Sequence, residues 1–130
     1  MSYMNHAYND SAFVYGEAAA ANSAPAMLAF AFNASGKLAL PSAGAFCAGI
    51  SLANADQVAA GGRLDIQVKD GCLWIAGEAI KRGDLLAADA TGKAKKATAG
   101  QNVLAMALED AANGKPCQVF ITRTLIPAST

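Results

Sequence analysis

Apolar and polar residues alternate in short runs along this chain, and the runs end in turn-forming residues. Leu64, Ile66 and Val68 fall on one side of an extended segment, with Asp65 and Gln67 on the other. That period of two marks a half-buried strand. Residues 118–124 alternate likewise, with Val119, Ile121 and Arg123 on one side and Phe120 and Thr122 on the other, which predicts a terminal strand. Lys69-Asp70-Gly71-Cys72 reads as a tight turn between strands over 64–68 and 73–76. Asn33-Ala34-Ser35-Gly36-Lys37 and Asp89-Ala90-Thr91-Gly92-Lys93 each put an Asx residue first and Gly fourth. This is the chemistry of a type I turn closing a hairpin.

These two turns belong to an internal repeat. At a shift of 56 residues the first turn falls on the second, Ser42 on Thr98, Ala43-Gly44 on Ala99-Gly100, Ile50 on Met106, Leu52 on Leu108 and Asn54 on Asp110. With a small gap, Gly62-Arg63 aligns with Gly114-Lys115 and residues 64–68 with 117–121. Upstream, Gly16-Glu17-Ala18 resembles Gly77-Glu78-Ala79. Two copies of one supersecondary unit follow, about 14–70 and 72–124.

A helix over 103–112 competes with the strand reading, because the segment is rich in Ala, Leu, Met and Glu and ends at Asn113-Gly114. Its counterpart over 46–55 contains Gly49, Ser51 and Asn54 and propagates a helix poorly, and copies share a fold. The expected class is therefore all-β (mainly β), with one short helix as the allowed exception. The architecture is a compact β-sandwich or barrel-like domain of two tandem related β units, with an extended N-terminal arm. The boundaries are an arm over 1–13, one β domain over 14–124 and a loose tail over 125–130.

Composition narrows what such a domain does. A chain of 130 residues suits one domain. Of these, 32 are Ala, while Phe, Trp and Tyr reach only 7%, so the core is built from small side chains. Ten Lys plus Arg balance ten Asp plus Glu. A neutral chain offers no electrostatic footprint for a polyphosphate backbone, and no nucleic-acid partner is expected. Charged residues at 15% weaken the repulsion that keeps monomers apart, which favours an assembly. The best apolar run is broken at Asn33, Ser35, Gly36 and Lys37, so no membrane span and no membrane partner are expected. The start has no basic region followed by an apolar one, so no secretory signal is read. Cys47, Cys72 and Cys117 are odd in number and far apart, which points to buried, reduced thiols in a reducing cytoplasm.

Catalytic sets are poorly supplied. His6 is the one histidine and lies in a polar leader, which removes Ser-His-Asp and Cys-His chemistry from the body of the chain. Asp65 with Asp70, Asp84 with Asp89, and Glu109 with Asp110 sit at turns and strand ends, where solvated turn acids explain them. The stretch 83–93 is no phosphate loop: residue 87 is Ala where Gly is required, and Lys93 is followed by Ala94. No metal and no cofactor are expected, and the chain is read as a non-enzyme. Trp74 reads as a core anchor, with a binding hot spot as its rival.

Two segments remain as contact candidates. The leader combines Tyr3, Met4, His6, Tyr8 and Phe13 with polar residues and cannot build a core alone, so it is either frayed or orders by lying along another chain. Lys93, Lys95 and Lys96 form a basic edge, which either blocks aggregation or meets an acidic partner.

The second unit, from Gly77-Glu78-Ala79 and Gly83-Asp84 through the Asp89 to Lys93 turn, Ala99-Gly100, the apolar run 103–107, Gly114 and the strand 118–122, resembles the tailed-bacteriophage capsid decoration, or cement, proteins. Position 105 is Ala where such sequences often have Gly. The resemblance implies a small β-rich protein, often trimeric, that sits on the virion exterior and clamps neighbouring subunits of the major capsid protein. It also implies synthesis in the bacterial host cytoplasm. In that setting the leader residues are the first contact candidates and the three lysines the second. A small carbohydrate- or ligand-binding β module is the alternative, and it calls for several exposed aromatics on one face. An enzyme or accessory domain ranks last; loss of turnover on replacing Asp84 or Asp89 would favour it.

Overall fold

In the computed structural model, which describes residues 12–128, the alternation becomes ten strands, and no helix forms among the described residues. β1 (Phe13–Glu17), β2 (Ala29–Phe32), β3 (Leu38–Ala39), β4 (Gly49–Ser51) and β5 (Arg63–Gln67) form one antiparallel sheet in the order β1-β5-β4-β2-β3. β6 (Gly71–Ile75), β7 (Leu85–Ala88), β8 (Ala94–Lys96), β9 (Asn102–Ala107) and β10 (Pro116–Leu125) form a second in the order β6-β10-β9-β7-β8. The second order is the first with five added to every label, so each half of the chain builds the same unit. The allowed short helix is absent; 103–107 is a strand, as its counterpart is.

The register repeats as well. Phe32 lies opposite Leu38, and Ala88 opposite Ala94. Phe30 lies opposite Gly49, and Leu86 opposite Ala105. Ile50 lies opposite Gln67, and Met106 opposite Phe120. Over these middle strands the offset is the 56 residues read from the sequence. It is 58 at the first strand, where Glu17 answers to Ile75, and 53 at the last, where Arg63 answers to Pro116. Hence Ala19, not Gly16, answers to Gly77, and Ala18 to Ala76: Ala18 bridges Leu38, and Ala76 bridges Ala94. Likewise Gly61, not Gly62, matches Gly114. Both have positive φ, at 83° and 86°, and both donate a 2.8 Å N–H bond, to the Ala18 and Ala76 carbonyls.

The repeated turns close as their sequences require. Asn33 Oδ1 accepts the N–H groups of Ser35 and Lys37 at 2.9 and 3.0 Å, and Asp89 Oδ1 accepts those of Thr91 and Lys93 at the same distances. The Asp70 turn departs from expectation. β5 and β6 do not pair, because β5 already lies between β1 and β4 and β6 pairs with β10. The turn, with Asp70 at φ 67°, carries the chain from one sheet to the other.

The bridges from Ala18 to Leu38 and from Ala76 to Ala94 bring the two ends of each sheet together, which gives each unit its barrel-like curl. Inside the second unit Trp74, Ile80, Leu86, Leu104 and Val119 pack with the small residues Ala76, Ala88, Ala94, Ala105 and Ala107. Inside the first, a smaller cluster holds Leu28, Phe30, Leu38, Leu64 and Ile66. The units meet through Ala29 and Ile50, neighbours on β2 and β4, which are fully buried in the second unit's core. Backbone hydrogen bonds cross the junction. Ala29 N–H donates to the Gly92 carbonyl at 2.8 Å, Ile75 N–H to Met27 at 3.0 Å, Gly44 N–H to Ala88 at 2.8 Å, and Asn102 N–H to Gly44 at 3.0 Å.

Candidate functional site

The acidic side chains are occupied with the backbone. Asp84 Oδ2 accepts the Lys81 N–H at 2.9 Å, Asp110 Oδ1 accepts the Arg82 N–H at 2.9 Å, and Glu109 Oε2 accepts the Gln118 N–H at 2.9 Å. Asp65 pairs with Arg63 at 2.9 Å. Asp84, Glu109 and Asp110 all lie near enough to Cys117 to disfavour its thiolate, but each is held by a backbone N–H. Among the described residues no three His, Cys, Asp or Glu side chains come together to hold a metal ion.

The thiols are set by burial. Cys47 and Cys117 are buried, Cys72 is half-buried, and all three are unpaired. Desolvation disfavours a thiolate, so burial pushes Cys47 and Cys72 up from 9.0 to about 11, and raises Cys117 too. These groups are protonated at neutral pH. Trp74 is fully buried and donates its indole N–H to the Gly92 carbonyl at 2.8 Å, so it is the core anchor and no surface hot spot.

Of the leader candidates, Tyr3, Met4, His6 and Tyr8 lie outside the described residues. Phe13 opens β1 opposite Gln67 and is 47% exposed. β1 is the edge of its sheet, and Val14 and Tyr15 beside Phe13 are exposed as well. The Arg63 guanidinium lies 4.3 Å from the centre of the Tyr15 ring. An edge strand with apolar groups on both faces offers unpaired backbone and contact area together. Lys93 and Lys95 flank the buried Ala94 and point away from the core, with Lys96 exposed at the end of β8. β8 is an edge of the second sheet, so Phe13 and the lysines stand on different sheets.

Other exposed apolar groups escaped the sequence reading. Phe32, Leu40 and Phe46 line one groove with Ala31, Ala39 and Pro41. The Arg123 guanidinium donates to the Cys47 and Ala48 carbonyls and lies 5.1 Å from the Phe46 ring centre. On the outer face of the second sheet Leu85, Met106 and Phe120 stand side by side across β7, β9 and β10. Alternation in residues 118–124 put Phe120 opposite to Val119 and Ile121. Whether that outward side is covered depends on what another part of the chain brings to it.

A family model described as phage cement protein matches residues 33–123. No curated protein matches the chain. Among solved structures, the head fiber gp8.5 N base of bacteriophage phi29 superimposes with a TM-score of 0.62 at 19% identity, over 85% of this chain and 92% of that one. At such identity the likeness speaks for the fold.

Proposed function

The chain belongs to the phage cement protein family, a structural component of the virion, and from that premise we propose that it binds the outside of the assembled capsid as a homotrimer and stabilises it. The partner is the major capsid protein. The protein is made in the host cytoplasm and joins the capsid exterior, and it acts by binding, without bond chemistry. Residues 1–13 serve as the arm, 14–124 as the body and 125–130 as the tail.

The observation that carries this reading is β1: an edge strand whose Phe13, Val14 and Tyr15 are 47%, 44% and 66% exposed, fed directly by the leader that holds Tyr3, Met4, His6 and Tyr8. The Ala18 bridge to Leu38 lies past the end of β1, and apolar side chains along the Phe13–Tyr15 stretch of the edge suit strand addition to another protein surface. Lys93, Lys95 and Lys96 on the β8 edge supply a second, weaker contact. A ligand that binds the lattice and not its separated subunits adds about 2.7 kcal/mol per site at a hundred times its dissociation constant. Three arms on one body multiply weak contacts into strong attachment.

The test is co-sedimentation of the purified protein with undecorated heads, followed by imaging. Full-length protein is expected to add density to the heads and to raise the temperature at which they open. A chain lacking residues 1–11, which retains Phe13 and its pairing with Gln67, is expected to stay folded and lose binding. Undiminished binding by that chain would move the interface away from the arm.

A further inference from the structure

Resting on the self-association just proposed, we infer that copies of this chain join head to tail, the outer face of one copy's second unit seating on the open side of the next copy's first unit. The internal repeat carries the argument. In the first unit the cross-strand row Ala29, Ile50 and Gln67 runs over β2, β4 and β5. Ala29 and Ile50 are fully buried because the second unit covers them. The corresponding row in the second unit is Leu85, Met106 and Phe120. It carries larger apolar side chains, yet among the described residues its two ends stay open: Leu85 is 38% and Phe120 44% exposed, with Met106 half-buried between them.

The complementary surface is likewise open among the described residues. The junction is received on the second unit by Ala88, which is buried, and by the Gly92 turn, where an added Cβ would stand 2.9 Å from the Ala29 carbonyl oxygen. The first unit's counterparts are Phe32 and the Gly36 turn. Phe32 is 54% exposed, and a Cβ on Gly36 would have nothing within 4 Å. Val14, on the same inner face as the buried Ile66 opposite it, is also exposed. The first unit's core is correspondingly the smaller of the two.

Both halves of a second junction therefore exist on one molecule, on the same backbone framework as the first. The contact is heterologous, since the surfaces joined are different ones. Such contacts propagate until a rotation closes the ring. By the same correspondence the Leu85 N–H faces the Gly36 carbonyl of the neighbour, as the Ala29 N–H faces Gly92 within the chain. The Gly44 part of the junction does not recur. Its counterpart Gly100 donates to the Ile126 carbonyl at 2.8 Å, so the chain's own C-terminal segment takes that place.

Sedimentation of the full chain without capsids, using Phe120→Glu and Phe32→Glu, tests the inference. Wild type is expected as a closed oligomer and each variant as a monomer. An equimolar mixture of the two is expected to form a dimer, because F120E keeps an intact first-unit face and F32E an intact second-unit face. Wild-type monomers, or variants that remain oligomeric, or a mixture that stays monomeric, would overturn it. If a charged variant does not fold, oxidation of a chain carrying Ser35→Cys and Leu85→Cys replaces it: intermolecular cross-links are expected, and their absence counts against the contact. Head binding is scored separately. A monomer that binds heads refutes this contact alone, and an oligomer that does not bind them refutes the capsid reading alone.

Discussion

The indole N–H of Trp74 donates to the carbonyl oxygen of Gly92 at 2.8 Å, and that oxygen also accepts the Ala29 N–H of the other unit at 2.8 Å. One carbonyl thus ties the largest core side chain to the junction between repeats. The glycine supplies it because the turn needs a positive φ, here 83°, and because Ala29 lies too close for a side chain.

Trp74→Phe is expected to lower stability by about 1–3 kcal/mol, since it removes a buried donor and leaves part of the indole volume unfilled. Urea unfolding followed by far-UV circular dichroism checks this. An unchanged midpoint and slope would show that the bond to Gly92 contributes nothing.

Gly92→Ala and Gly114→Ala separate conformation from contact. Both glycines have positive φ, at 83° and 86°. Either substitution carries a left-handed backbone cost of roughly 1–2 kcal/mol. Only a Cβ at 92 meets neighbours, at 2.9 Å from the Ala29 oxygen and 3.1 Å from Leu40, whereas one at 114 meets nothing within 4 Å. G92A is therefore expected to be the more destabilising by at least about 1 kcal/mol, the ordinary lower cost of overpacking. Equal losses in thermal unfolding would remove the junction from the explanation.

The buried thiols predict an alkaline loss of stability. Below pH 9 they are protonated whether the chain is folded or not. Between pH 9 and about 11 the unfolded chain releases protons that folded Cys47 and Cys72 retain, so stability falls as pH rises through that window. The Cys47→Ala, Cys72→Ala double variant is expected to fall less steeply over the same range. Parallel curves for the two proteins would count against the assignment.

Much of the fold was legible locally. Asn33 and Asp89 specify their turns through a side-chain oxygen that reaches two N–H groups, an interaction closed within five residues. Leu64 and Ile66 declare an inward face by alternation alone. The offset of 56 residues was visible because the Gly36 and Gly92 turns and the Gly44 and Gly100 loops need glycine whatever surrounds them. The shifts to 58 and 53 were not, because strands pair through backbone and leave weak marks in side chains. Position 105 illustrates this: Ala105 is accommodated in β9, while its counterpart Gly49 has the Gln67 carbonyl 2.3 Å from where a Cβ would sit.

The chain's own order of residues determined the strands, the repeat, the small-residue core and the neutral charge, since each depends on chemistry within a few positions or on composition. Tertiary structure alone decided that the Asp70 turn crosses between sheets and that Trp74 faces Gly92. It also decided that Ala29 and Ile50 are covered while Leu85 and Phe120 are exposed. Alternation assigns a side chain to one face of a strand, but coverage of that face depends on long-range packing, which no local pattern encodes.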